Sequence, residues 1–176
     1  MLTTSAPYLF RFLPREFIRA DERGHPVEWF GLIDPRALVL LDAQRAAWAY
    51  RRRHLPAAAQ RILISNDPGA LGRHLGPISD SQHNIDKWGQ CRAIDNVPGG
   101  IVYRDEAELY YRIALEIGWT GIGFYPHWYQ GPGFHLDTRR DRQPGEPATW
   151  GRIGTPKTGY KDVSIQTAFQ ELPTRE

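Results

Sequence analysis

At 176 residues, the chain has the size of a single domain with one sizeable core, and 41% hydrophobic against 24% charged residues is an ordinary globular composition. Twenty-two basic against 20 acidic residues leave a net charge of +2, which does not point to nucleic acid, although a mildly basic surface can still approach an anionic polymer. A lone cysteine, Cys91, excludes an internal disulfide and a thiolate-rich metal site, and no apolar run is long enough for a transmembrane helix.

The first residues, Met1 to Pro7, lack a basic region followed by an apolar stretch, so no Sec-type signal peptide and no stable membrane association are expected. Alternation at Tyr8, Phe10 and Phe12 hints at a short strand, and Glu22 to Pro26 is a turn. Asp34-Pro35 predicts a helix start, with Asp as cap and Pro at the first helical position. Leu38, Leu41, Arg45 and Trp48 share one face of that helix, and Arg51, Arg52 and Arg53 read as its cationic end rather than as a nucleic-acid patch. Arg61–Ser65 and Arg92–Val97 read as strands. Asp105, with Glu108 three residues on, predicts a second helix that Gly118 stops. Gly121–Tyr125 and Gly133–Thr138 fit two further strands. After about residue 140 the chain is rich in Pro, Gly and Arg and is expected to wrap the surface. Helices and short strands mix without regular alternation, which predicts an α+β fold.

Six histidines are present, and Asp86, Asp95 and Asp137 lie near them in sequence. A catalytic zinc site offers three protein ligands and one open position, and imidazole with carboxylate suits zinc. No single pair is specific. His135-Leu136-Asp137 on a strand puts both acid and imidazole on one face, which is all that the spacing establishes.

The combination is sharper. Ser81-Gln82-His83, followed by Gly89, Ala93 and Asp95, resembles the S-x-H, G-x-A-x-D signature of zinc D-alanyl-D-alanine carboxypeptidases and L-alanyl-D-glutamate endopeptidases. Gly121 to Pro126 is similar to that family's G-x-G-x-Y-P turn, Phe134-His135-Leu136-Asp137 to its second metal motif, and Trp150-Gly151 to its trailing W-G. The resemblance covers roughly residues 35–153. It implies a small antiparallel sheet carrying Zn2+ on His83, Asp95 and His135, flanked by helices. It also implies hydrolysis of peptidoglycan stem peptides. One zinc peptidase domain is then expected over residues 1–176, with 1–34 as an N-terminal extension and about 154–176 as a C-terminal tail.

Two departures accompany the resemblance. The family sets the first His and the Asp closer together than the twelve positions found here, so residues around Asn84–Lys87 read as an insertion, with Asp86 as the alternative ligand. Where many members carry an acid three residues before the second metal His, this chain has Pro132. The candidates for a base are therefore Asp137 and His127, Asp137 being equally open to a role orienting a ligand imidazole. Arg73, Ser81 and Tyr125 are candidate substrate contacts, an arginine being expected where a stem peptide presents carboxylates. Without a signal peptide, action in the periplasm or cell wall would follow release or delivery, as for a phage endolysin. The competing expectation is a metal-containing cell-wall-binding or phage structural protein without turnover. Oligomeric state is not legible.

Overall fold

Asp34 and Pro35 open the longest helix, α1 (Pro35–Arg51), in a computed structural model that describes residues 11–175. The Asp34 carboxylate accepts from the Arg36 amide at 2.9 Å, satisfying one of the donors a helix start leaves free. Ala37, Leu38, Leu41, Gln44 and Trp48 form its buried stripe. Arg51 ends the helix and Arg52 caps it. The Arg52 guanidinium turns inward, 3.2 Å from Glu106, and is 4% exposed.

Before α1, β1 (Ile18–Ala20) and β2 (Pro26–Glu28) form a small antiparallel hairpin across the expected turn. Phe17 and Trp29 beside it are fully buried, and the described part of the expected N-terminal extension shares the main hydrophobic cluster. Tyr8 and Phe10, on which the expected first strand rested, lie outside the described residues.

The main sheet comprises β3 (Ile62–Ile64), β4 (Ala93–Pro98), β5 (Gly121–Tyr125), β6 (Gly133–Asp137), β7 (Ala148–Thr155) and β8 (Gly159–Val163), in the order β3-β4-β6-β5-β7-β8. It is not wholly antiparallel as expected: β5 and β7 pair in parallel, because the chain returns from β6 by a crossover through residues 138–147. The stretch expected to wrap the surface instead supplies β7, β8 and α4 (Ile165–Phe169), with Ile165, Ala168 and Phe169 buried.

Period-two alternation divides the two faces of this sheet. Ile94, Leu136 and Ile122 are partners across β4, β6 and β5, as are Asn96, Phe134 and Phe124 one row on. These rows pack under α3 (Arg104–Ile117) and α4: Tyr110 lies 4.6 Å from the Phe134 ring, and Phe169 lies 5.0 Å from Phe124. The Tyr110 hydroxyl donates to Asn96 Oδ1 at 2.7 Å, satisfying two polar groups inside this core. The cap of helix α3 lies two residues earlier than expected. Tyr103 is its cap, and the carboxylate that reaches back to the Tyr103 and Val102 amides is Glu106, not Glu108. Among the described residues, no helix is long and apolar enough to cross a membrane. The fold is mixed α and β, consistent with the α+β expectation, and its opposite sheet face is left for polar residues.

Candidate metal centre

The register of the sheet assembles the centre. Asp95 on β4 faces His135 on β6, His135 faces Gly123 on β5, and Gly123 faces Trp150 on β7, so all four stand in one row on the face away from α3 and α4. The neighbouring row on that face runs Ala93, Asp137, Gly121 and Ala148. The two glycines make room for the large members of these rows. A Cβ on Gly123 would lie 2.5 Å from the Trp150 indole, and one on Gly121 would lie 2.2 Å from the Asp137 carboxylate.

The third member arrives from a loop. Ser81 Oγ accepts from the His83 amide at 3.3 Å, and the His83 carbonyl accepts from the Arg73 amide at 2.9 Å. Asn84, fully buried, donates from its carboxamide to the carbonyls of Gly76 and Ser79 and caps α2 (Ile85–Trp88). The Trp88 indole donates to the Ser81 carbonyl at 2.8 Å. With this loop pinned on both sides, His83 points its Nε2 at the sheet.

His83 Nε2, His135 Nδ1 and Asp95 Oδ1 then form a triangle with sides of 3.1, 3.2 and 2.9 Å. The residues are 3%, 7% and 6% exposed. A tetrahedral zinc with bonds of about 2.0–2.1 Å needs ligand atoms about 3.3 Å apart, close to this triangle. The donor set makes the same point: three lone-pair atoms converge, and a shared cation satisfies all three at once. The buried His83–Asp95–His135 group can hold a metal ion.

Without a metal, protons must do that work. Burial lowers the His83 pKa below its usual value, more than the Asp95 charge raises it. Burial opposes charge on His135 too, but its hydrogen bonds to Asp137 and Asp95 win and lift it to about 9. Against the cost of burial, the imidazoles hold the Asp95 carboxyl well below the usual carboxylate range.

Asp137 is fully buried and committed. It accepts from His135 Nε2 at 3.0 Å and from the Arg139 side chain at 2.6 and 2.9 Å, with the Arg139 amide as a further donor. This pairing fixes the tautomer that frees Nδ1 for a metal. Asp137 is therefore placed to orient His135, and both of its oxygens already accept hydrogen bonds. His127 is not brought to the centre: its Nδ1 accepts from the Gly154 amide at 3.0 Å, and its Nε2 lies 3.4 Å from Glu171. Asp86, the alternative ligand, is bound to His74 at 2.8 Å and to the Gly76 amide.

The triangle opens into a cleft of about 400 Å³. Arg73, Arg139 and Arg152 line it, with Tyr125, Trp128 and Trp150 as aromatic walls. Arg73 approaches Asp95 at 4.0 Å, and Ser81 also lines the opening. Tyr125 stacks on Trp128 with ring centroids 4.6 Å apart and accepts from the Trp150 indole at 3.0 Å; burial pushes its phenol up to about 12. Arg139 escaped the sequence analysis, although Asp137-x-Arg139 repeats the spacing of His135-x-Asp137. Cys91 lies behind His83, fully buried, its sulfur 3.9 Å from Nδ1. No protein-family model, curated protein or solved structure matches the chain.

Proposed function

We propose that the chain is a zinc-dependent hydrolase of peptide bonds in peptidoglycan stem peptides. The observation that carries this reading is the buried His83–Asp95–His135 triangle opening into a cleft lined by arginines and aromatic rings. The motif resemblance around Ser81–Asp95, Gly121–Pro126 and Phe134–Asp137 supplies the substrate class. Zinc held by these ligands would polarise a carbonyl and bring water into its ionising range near neutral pH. The protein's own part is positional. Asp137 and Arg139 lock the His135 ring, and Ser81 and Asn84 set the loop that carries His83. Arg73 presents a cation to an acidic peptide, Arg139 and Arg152 being paired with Asp137 and Asp162, and Trp128 and Trp150 offer flat faces to its backbone and side chains.

Metal content by mass spectrometry, for wild type and for the H83A and H135A variants, tests the centre. Stoichiometric zinc in wild type, lost in both variants, is the expected result. Digestion of purified peptidoglycan then separates the two reactions: free D-alanine marks a carboxypeptidase, and a new amino terminus on D-glutamate marks an endopeptidase. Neither product on any wall chemotype would overturn the hydrolase reading.

One observation favours a second reading, a metal-containing wall-binding protein without turnover. Asp137 and His127, the two candidate bases, are both engaged in other hydrogen bonds, and Pro132 stands where many members of the resembled family carry an acid. Zinc at full occupancy with tight stem-peptide binding and no cleavage would establish it.

A further inference from the structure

A second groove, of about 720 Å³, adjoins the cleft. It shares Asp80, Gln82 and Arg139 with the metal cleft and adds Trp88 on α2, Arg92 just before β4, and Arg140 after β6. Arg92 is 7% exposed. Its Nε is buried without a hydrogen-bond partner, and among the described residues its guanidinium makes no ion pair. The guanidinium lies over the Trp88 ring, 4.3 Å from the centroid. That contact covers one face of the ion and leaves the buried Nε–H without an acceptor.

A buried N–H without an acceptor costs free energy, and native structures leave few such groups unmatched. The surroundings add to the imbalance. Arg140 is exposed, also without an ion-pair partner among the described residues, and its charge acts with burial to lower the Arg92 pKa. Asp34 is the acid that acts against this, but its oxygens accept from the Arg36 amide and from the Thr138 hydroxyl. Of the acids lining the groove, Asp80 is paired with Lys87, and Asp141 makes no ion pair with either arginine. Arg139 is held by Asp137. The groove thus carries two arginines that no carboxylate pairs among the described residues, with Gln82 Oε1 and the Asp141 carboxylate as acceptors that also line it.

We infer that this groove is a carboxylate subsite, in which Arg92 and Arg140 receive a carboxylate of the acidic peptide whose scissile bond lies in the metal cleft. The inference rests on the proposed peptide-hydrolase reading and extends it to specificity. A planar fork suits a carboxylate, and Trp88, tethered through Ser81, holds the Arg92 fork flat. The residues that lengthen the spacing between His83 and Asp95 are the ones that form α2 and bring Trp88 to the groove. The longer spacing therefore has a consequence: it builds a second recognition wall beside the metal.

The test is equilibrium binding of a stem pentapeptide with free carboxylates, and of its fully amidated counterpart, to the zinc-loaded full chain, with peptide integrity checked by mass spectrometry. Amidation is expected to weaken wild-type binding about tenfold or more, the scale of a hydrogen bond to a charged group. Arg140→Ala, at an exposed position, and Arg92→Gln should each lose much of this preference, the cleft arginine Arg73 keeping the remainder, and Arg142→Ala should keep the wild-type preference. A wild type indifferent to amidation, or an Arg140→Ala variant that retains the full preference, would overturn the subsite. Hydrolysis that persists without charge preference removes the subsite and spares the hydrolase reading. Charge-dependent binding that Arg140→Ala weakens, with no hydrolysis, supports the subsite and removes the hydrolase reading.

Discussion

His135 and Asp137 stand two residues apart on β6, and the imidazole Nε2 of the first lies 3.0 Å from the carboxylate of the second. That pairing leaves the other ring nitrogen, Nδ1, facing His83 and Asp95. Asp137→Asn is therefore expected to keep all three ligands and lose their alignment. Metal affinity should fall about 10–100-fold, the usual effect of removing such an orienting partner. A competitive chelator titration measures it. Unchanged affinity would show that His135 needs no orienting partner.

His127→Ala is the complementary case. The ring is tied to Gly154 and Glu171 and not to the metal triangle. Metal stoichiometry and stem-peptide turnover should stay within about twofold of wild type, the range of a surface change. A collapse in turnover with intact metal content would return His127 to the chemistry.

The glycines beneath the centre give a stability prediction. Gly123→Ala places a methyl 2.5 Å from Trp150, and Gly121→Ala places one 2.2 Å from Asp137. Each should cost about 1–3 kcal/mol by overpacking, read from the shift in denaturant midpoint. Gly121→Ala should also weaken metal binding, because it pushes on the carboxylate that holds His135. Gly31→Ala, with open space around the new Cβ, is the neutral control. Equal midpoints for all three variants would contradict the close approach.

Metal binding should release protons. In the metal-free chain His135 is held protonated up to about 9, and a metal requires its neutral form. The sign follows directly. Below that pH a proton leaves as metal enters, so affinity rises with pH from neutral towards about 9 and levels off above it. Calorimetry at neutral pH in two buffers of different ionisation enthalpy should report about one proton released. Affinity independent of pH over that range would contradict the His135–Asp137 pairing.

The metal triangle was legible because its parts carry strong local signals. His135 and Asp95 sit on strands whose alternation is clear, and Ser81 and Ala93 flank the ligands in a recognisable pattern. Spacing leaves Asp137 open to either a base or an orienting role, since it puts the acid on the right face and says nothing of Arg139, which donates to both of its oxygens. The strands after residue 140 escaped for another reason. β8 is an almost wholly exposed edge strand, held by its backbone pairing with β7, so no hydrophobic alternation marks it. The start of α3 was misplaced because Asp105 is the better cap by residue type. The position is decided instead by Glu106, which reaches back to two amides while pairing with Arg52 and Arg175.

The ligands are far apart along the chain: His83 and His135 are separated by 52 positions, and Asp95 and His135 by 40. None of the triangle exists until β4 has found β6, a pairing that closes long loops and forms slowly. The ion is thus excluded from the early stages of folding and enters only a nearly finished sheet. A metal bound there would act as a latch on that late pairing, stabilising the folded chain by mass action. In refolding, a metal-sensitive dye should report capture only with the slowest phase, which would make the ion a timekeeper of completed folding.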